Sequence, residues 1–191
     1  YNQAVRDKIL NNDNTINVGD LLMVIKNNYF WLNNTRDIGF IANGDIIKIE
    51  EIHNIKQLYG FKFAEVKISM VDYPKIDHLE TVLILDSLYI NSSALDFNTM
   101  NKLYQEILKD YMNVKTKYKR HLAVKNNSFF NALQVKFAYS FTCHKSQGGQ
   151  WESIFLEYPY LPNGMDEDFL RWLYTAVTRA KNKLHLIGFN Q

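Results

Sequence analysis

Residues 137–156, FAYSFTCHKSQGGQWESIFL, constrain the fold more than any other stretch of this chain. Two short runs, 137–142 and 153–158, are rich in aromatic and β-branched residues and are predicted to be buried strands. Between them lie His144, Lys145, Ser146, Gln147, Gly148, Gly149 and Gln150, with Thr142 at the edge of the first strand. Lys145 brings a full positive charge; Thr142 and Ser146 bring hydroxyls. The glycine pair permits positive φ and lets backbone N–H groups approach a ligand closely. Such a loop suits an anion, and the obvious anion is a phosphate. A Gly-Gly pair between two strands also makes a plain turn, and these residues alone leave both readings open.

A second stretch narrows the choice. Residues 166–181, DEDFLRWLYTAVTRAK, place Phe169, Trp172, Leu173, Ala176, Val177 and Ala180 at three- and four-residue spacing. That spacing predicts an amphipathic helix with these side chains on one face. Asp166, Glu167 and Asp168 put negative charge where the helix dipole favours it. Thr175, Thr178 and Arg179 fall near the other end, and 183–189, KLHLIGF, reads as a further strand. Taken alone, Arg179 is a cation at a helix C-terminus, which needs no ligand to explain it.

Together, T-x-H-K-S-Q-G-G-Q-W (142–151) and L-Y-T-A-V-T-R-A-K (173–181) resemble motifs V and VI of a superfamily-one DNA helicase. The pattern is closest to the RecD-like branch. The opening residues YNQAVRDKIL (1–10) resemble the helix just after that family's motif IV. The strong resemblance covers about a third of the chain, and a fainter one runs through the middle.

The middle is punctuated by turns. Asn-rich 11–17 reads as a boundary, and 21–26, LLMVIK, as a strand. The sequence Asn43-Gly44-Asp45 is a strong turn signal. Strands are expected over 46–52, 61–71 and 79–88, with Pro74 between the last two. Several short strands with such punctuation suggest a small barrel or sandwich. The run GDLLMVIKN (19–27) followed by Asn43-Gly44-Asp45 resembles the Src-homology-3-type barrel that RecD-like helicases insert into their second motor domain. Asp96 is a candidate N-cap for a helix over 100–112, its apolar face formed by Leu103, Tyr104, Ile107, Leu108 and Tyr111. Lys115, Lys117, Lys119, Arg120 and Lys125 follow, interleaved with Tyr118 and His121. That interleaving suits either a nucleic-acid backbone or a solvated helix face.

The resemblance therefore implies an α/β protein. Residues 1–18 and 132–191 would form one discontinuous RecA-like parallel-sheet domain of the P-loop NTPase type. Residues 19–91 would form an inserted SH3-like barrel, and 92–131 a helical connector. A superfamily-one helicase binds ATP and Mg²⁺ between two such motor domains, and the first supplies the P-loop. This sequence holds no G-x-x-x-x-G-K-[ST]. The expectation is thus the second motor domain of a longer parent, partnered by the N-terminal RecA-like domain of the same parent chain, which would bind most of the ATP and Mg²⁺.

By the same resemblance, Arg179 matches the motif VI arginine that reaches the γ-phosphate, and is the expected catalytic residue. Gln147, Gly148 and Gln150 join Arg179 as nucleotide-binding candidates. Thr142, His144, Lys145 and Ser146 are DNA-backbone candidates, toward single-stranded DNA or a duplex/single-strand junction. Thr175 and Thr178 are expected to orient the helix end. Many family members carry an acidic residue where this chain has Gln150, which leaves the ribose contact open. Tyr29, Phe30 and Trp31 are candidates for stacking on bases, or for burial in the barrel. Movement 5′ to 3′ is expected only from the RecD-like likeness. The competing classes are a non-catalytic nucleic-acid-binding module that keeps the fold, and a protein-interaction barrel.

Composition sets the outer limits. Hydrophobic residues make up 47% and aromatics 14%, which marks a folded chain. A net charge of +2 argues against a uniformly polybasic binder but allows a local basic groove. Cys143 is the single cysteine, and no Cys/His spacing suggests a metal. No apolar run reaches membrane-spanning length and no signal peptide opens the chain, so the cytoplasm is the expected compartment.

Overall fold

A computed structural model describes residues 1–32, 39–147, 149–162 and 164–189. The chain divides into two compact units, Tyr1–Ser140 and Phe141–Gln191.

In the first unit, helix α1 (Asn2–Lys8) precedes a closed barrel of five strands: β1 (Leu21–Val24), β2 (Ile46–Leu58), β3 (Phe61–Met70), β4 (Leu79–Ile84) and β5 (Leu133–Phe137). Antiparallel pairing joins β1 to β2, β2 to β3, β3 to β4 and β5 to β1; β4 and β5 run parallel. A parallel pair cannot be joined by a tight turn. The crossover is supplied by a 3₁₀ turn (Leu85–Leu88), helix α2 (Phe97–Asp110) and helix α3 (Lys117–Lys125). The last part of the expected strand 79–88 is that 3₁₀ turn.

Period-2 alternation decides which side chains meet. From β3, Ala64, Val66 and Ile68 fill the barrel with Leu22, Val24, Ile47, Ile49, Leu83, Leu133 and Val135. Phe63 points the other way, and with Val82 and Ile84 of β4 it packs against Leu103 and Ile107 of α2 and Val124 of α3. Strand β4 is covered on both faces, which is why its end reads as an unbroken apolar run. The Asp96 carboxylate accepts the Thr99 N–H at 2.7 Å, making it the N-cap of α2 as expected.

Two register shifts, between Ile49 and Glu51 and between Ile52 and Asn54, bend β2, and the β2–β3 hairpin continues to a two-residue turn at Tyr59 and Gly60. Both turn residues have positive φ, 56° and 80°. Tyr59 is held there by its hydroxyl, which donates to the Asp110 carboxylate of α2 at 2.5 Å. Burial and the Asp110 charge push the Tyr59 phenol up to about 12.

The first unit draws its limits differently from the sequence-based expectation. The resemblance places residues from 132 onward in the motor domain, yet Leu133–Phe137 is the fifth barrel strand, caught between β1 and β4. The strand expected over 137–142 ends at Phe137. The Ala138 N–H still donates to the Leu21 carbonyl of β1 at 2.9 Å; the backbone then leaves the ladder, and the N–H groups of Tyr139 and Ser140 donate to Asn2 Oδ1 at 2.9 and 2.7 Å. Helix α1, which the resemblance also places in the motor domain, is anchored to the barrel by Arg6. The fully buried Arg6 guanidinium donates from Nε (3.2 Å) and Nη2 (2.9 Å) to the two oxygens of Asp20, itself fully buried.

The second unit is a β–α–β unit. A 3₁₀ turn (Cys143–Ser146) leads to β6 (Trp151–Glu157), helix α4 (Glu167–Val177) and β7 (Ala180–Ile187). Among the described residues, β6 and β7 form a two-stranded parallel sheet, with Phe155 opposite His185. The wider RecA-like parallel sheet expected from the resemblance is not seen among the described residues, where β6 and β7 pair only with each other. Helix α4 starts where expected, its Asp166 cap accepting the Phe169 N–H at 2.8 Å. It stops at Val177 because Ala180 already pairs with Trp151. No helix among the described residues is long and apolar enough to cross a membrane.

Removing one partner of the Arg6–Asp20 pair strands the other charge in the interior. Arg6→Met or Asp20→Asn alone is expected to lower stability by about 3–5 kcal/mol, read from urea unfolding. Arg6→Met combined with Asp20→Asn is expected to cost less than the two single losses added together.

Candidate functional site

The polar loop after Ser140 folds back on itself. The Lys145 and Ser146 N–H groups donate to the Thr142 carbonyl at 2.9 and 3.2 Å, and the Gln147 N–H to the His144 carbonyl at 3.4 Å. The Gly149 N–H donates to the Ser146 carbonyl at 3.1 Å. These four backbone donors, expected to face an anion, are spent inside the loop. An anion would therefore meet side chains, and Thr142, His144, Lys145 and Gln147 are exposed. Lys145 has no ion-pair partner among the described residues. Ser146 differs from its neighbours. It is buried, and its hydroxyl donates to the Cys143 carbonyl at 2.6 Å, so it closes the 3₁₀ turn. Gly148 lies outside the described residues.

Gly149 is needed for space rather than for its φ. A Cβ at this position would lie 2.8 Å from Cζ2 of the Trp151 indole, closer than real side chains come. The indole lies under the loop and tilts against Phe141, with ring centroids 5.2 Å apart. The positive φ expected of this glycine is therefore not its role.

At the far end of the loop, chain segments distant in sequence converge on Arg179. Its Nε donates to the Thr175 carbonyl at 2.9 Å, Nη1 to the Gly149 carbonyl at 3.1 Å and Nη2 to the Thr178 hydroxyl at 3.0 Å. The Arg179 carbonyl accepts the Trp151 N–H at 2.9 Å. Gln150 Nε2 donates to the Thr178 carbonyl at 3.2 Å. Thr178 Oγ1 reaches back to the Tyr174 and Thr175 carbonyls at 2.8 and 3.1 Å, and Thr175 Oγ1 to the Arg171 carbonyl at 2.9 Å. Both threonine hydroxyls are thereby engaged with the end of α4.

The electrostatics of this knot are unusual. All three acceptors of Arg179 are neutral oxygens, and among the described residues no carboxylate pairs with it. A guanidinium carries five N–H donors, so two remain beyond the three that are used. Its charge is thus held in a fixed orientation and left unneutralised, which suits an incoming anion.

The structure brings Gly149, Gln150, Thr178 and Arg179 into one bonded cluster. Among the described residues, no hydrogen bond links Thr142, His144, Lys145 or Gln147 to it. The Gly149–Trp151 approach was missed in the sequence, although a glycine two residues before a tryptophan was the available signal. Among the described residues, no group of three His, Cys, Asp or Glu side chains is placed to hold a metal ion.

Cys143 joins the turn to α4, its thiol donating to the Trp172 carbonyl at 3.6 Å. Burial pushes this thiol up, outweighing the hydrogen bond to Ser146 and the Arg179 charge, which both pull it down.

Residues 137–187 match the family model of the UvrD-like helicase C-terminal domain. The matched segment contains the whole loop, α4 and β7, and it supports a helicase-related function. An uncharacterized protein of Methanocaldococcus jannaschii is 36% identical over 64 residues, which cover 33% of this chain and 5% of that protein's length.

Two expectations follow from the geometry. Gly149→Ala forces a methyl group into the Trp151 ring and is expected to destabilise the second unit by about 1–3 kcal/mol, seen as a lower midpoint in Trp-fluorescence unfolding. The raised Cys143 pKa leaves less thiolate near neutral pH. Iodoacetamide is therefore expected to label the folded chain more slowly than the urea-unfolded chain at the same pH, measured by mass spectrometry.

Proposed function

We propose that this chain is the C-terminal motor half of an ATP-dependent DNA helicase or translocase of the RecD-like branch. The barrel would be its SH3-like insertion, and Phe141–Gln191 part of its second RecA-like domain. The observation that carries this reading is Arg179, a fixed, unneutralised guanidinium at the junction of a polar loop and a helix end. The match of 137–187 to a helicase C-terminal domain supports it independently.

In this reading ATP lies between this unit and an N-terminal RecA-like domain of the parent. The two free N–H donors of Arg179 would meet the γ-phosphate, where charge builds on the transferred group. Such arginine fingers are worth about 10³ to 10⁵ in rate. Thr175, Thr178 and the Gly149 carbonyl would hold the guanidinium in place, so that little reorganisation accompanies the reaction. Gln150 is bonded to the helix end, and its amide would have to leave the Thr178 carbonyl to reach a ribose. In this reading Mg²⁺ would be held mainly by the N-terminal domain, where it would offset charge on the phosphates. Thr142, His144 and Lys145, all exposed, would touch the DNA backbone. Such contacts carry no sequence information and weaken with salt.

The test is ATP hydrolysis by the full-length parent with and without single-stranded DNA. Hydrolysis is expected to be DNA-stimulated and to fall at least about a hundredfold in Arg179→Ala, with DNA binding retained. Arg179→Lys is expected not to restore it, because the planar fork is lost. Unstimulated hydrolysis, or a variant equal to wild type, would replace this reading with that of a non-catalytic nucleic-acid-binding module.

A further inference from the structure

The barrel unit carries a cleft of its own, lined by none of the residues of the loop and helix of the second unit. It has a volume of about 350 Å³ and lies where the segment after β1 meets the end of α3. This is at the lower end of ligand pockets, which run from roughly 300 to 1,000 Å³, and it offers room for about one nucleotide. Lys26, Tyr29, Lys125 and Phe130 are among its walls.

The three neighbouring aromatics do different things. Trp31 packs against both hydrophobic clusters and donates its indole N–H to the Asn131 carbonyl at 2.9 Å. Phe30 is half-buried and sits edge-on to Trp31, with centroids 4.9 Å apart. Tyr29 is 62% exposed. One face of its ring stacks on Phe40 at 4.9 Å and 27°, and no other ring among the described residues stacks on it. Among the described residues, Tyr29 is the one of the three stacking candidates that combines high exposure with a ring backed by another.

The charge around this ring is positive. Lys26 and Lys125 are exposed and have no carboxylate partner among the described residues. Residues 111–131 hold Lys115, Lys117, Lys119, Arg120 and Lys125 with no Asp or Glu, in a chain whose net charge is only +2. The rim is also rigid. Asn28 Nδ2 and Trp31 Nε1 both donate to the Asn131 carbonyl, at 2.8 and 2.9 Å. Asn131 Nδ2 in turn donates to the Lys125 and Asn127 carbonyls, at 2.6 and 2.8 Å. The backbone that carries the ring and the end of α3 is therefore held before any ligand arrives, which lowers the entropic cost of ordering this rim on binding.

An exposed, backed aromatic ring, flanking cations and space for one nucleotide match an unpaired strand. In a duplex the base faces are already stacked and hidden. We propose that this cleft is a single-stranded DNA subsite on the barrel unit, in which Tyr29 stacks on one base while Lys26 and Lys125 pair with flanking phosphates. The choice of DNA over another polyanion rests on the helicase reading; the stacking and charge pairing do not.

The test is fluorescence anisotropy of the 191-residue chain with a short labelled oligothymidylate, titrated across NaCl concentrations. Tyr29→Ala is expected to weaken binding by about 5- to 150-fold, the span of one base–aromatic stack. Tyr29→Trp is expected to retain it. A fully abasic strand of equal length is expected to bind wild type less tightly than oligothymidylate, and this discrimination should shrink in Tyr29→Ala. A change in fold alone would not single out the bases in this way. Lys26→Gln with Lys125→Gln is expected to flatten the slope of log affinity against log salt by about 1.4, at about 0.7 per single-strand phosphate contact. The proposal is overturned if these variants bind like wild type, if duplex of the same length binds as tightly, or if the chain binds no oligothymidylate at low salt. The motor reading is judged separately. Affinity lost only in Lys145→Ala would remove this subsite and leave the motor reading intact. Loss in Tyr29→Ala, without DNA-stimulated hydrolysis in the parent, would keep the subsite and remove the motor.

Discussion

The buried Arg6–Asp20 pair is the contact on which the first unit depends. Asp20 sits just before β1, and its carboxylate collects the Arg6 fork, the Asn12 amide, the Asn17 N–H and the Tyr139 hydroxyl. The Arg6 guanidinium lies 4.1 Å from the centre of the Phe137 ring at the end of β5. Helix α1, the start of the first strand and the exit of the last are thereby fastened at one point. Two charges taken out of water are tolerated only when nearly every donor and acceptor is met. Arg6 Nη1 is the one guanidinium nitrogen left without a partner. The pair therefore specifies one arrangement of these three segments more than it adds bulk stability.

The second unit is organised on a different principle. Here the central cation, Arg179, has no counter-charge among the described residues. Neutral oxygens from the loop and the helix end hold its fork in place, and the Gln150 amide ties the same two segments together. In the first unit a charge is neutralised and sealed. In the second it is oriented and left available. The contrast separates a structural arginine from one suited to meeting an anion, although both are arginines near a helix C-terminus.

Much of this architecture was legible in the residues. The N-cap Asp96, the acidic start of α4 at Asp166, the β strands of the barrel and the apolar face of α4 follow from short-range rules of capping, dipole and periodicity, and they lie close to where those rules put them. The limits of the elements were less legible. The run 137–142 has strand composition throughout, yet after Ala138, whose N–H still reaches the Leu21 carbonyl, it leaves the ladder because Asn2, more than a hundred residues earlier, takes the Tyr139 and Ser140 N–H groups. Composition reports that a residue suits a strand; it cannot report that a partner strand has run out. The same holds for Tyr29, Phe30 and Trp31. They are alike in sequence, but only packing against Phe40 and Asn131 distinguishes the exposed ring from the two that are engaged.

The sequence by itself determined the local elements, the polar loop with its glycine pair, and the helix that ends in Thr178 and Arg179, because caps, periods and motifs are written within a few neighbouring residues. The tertiary structure alone decided that Leu133–Phe137 closes a barrel, that Arg6 is sealed against Asp20, that Gly149 makes room for an indole and that Arg179 is gripped without a counter-charge. Each of these depends on which distant groups arrive at one place, and on whether a buried charge finds a partner there. No local pattern of residues encodes that meeting.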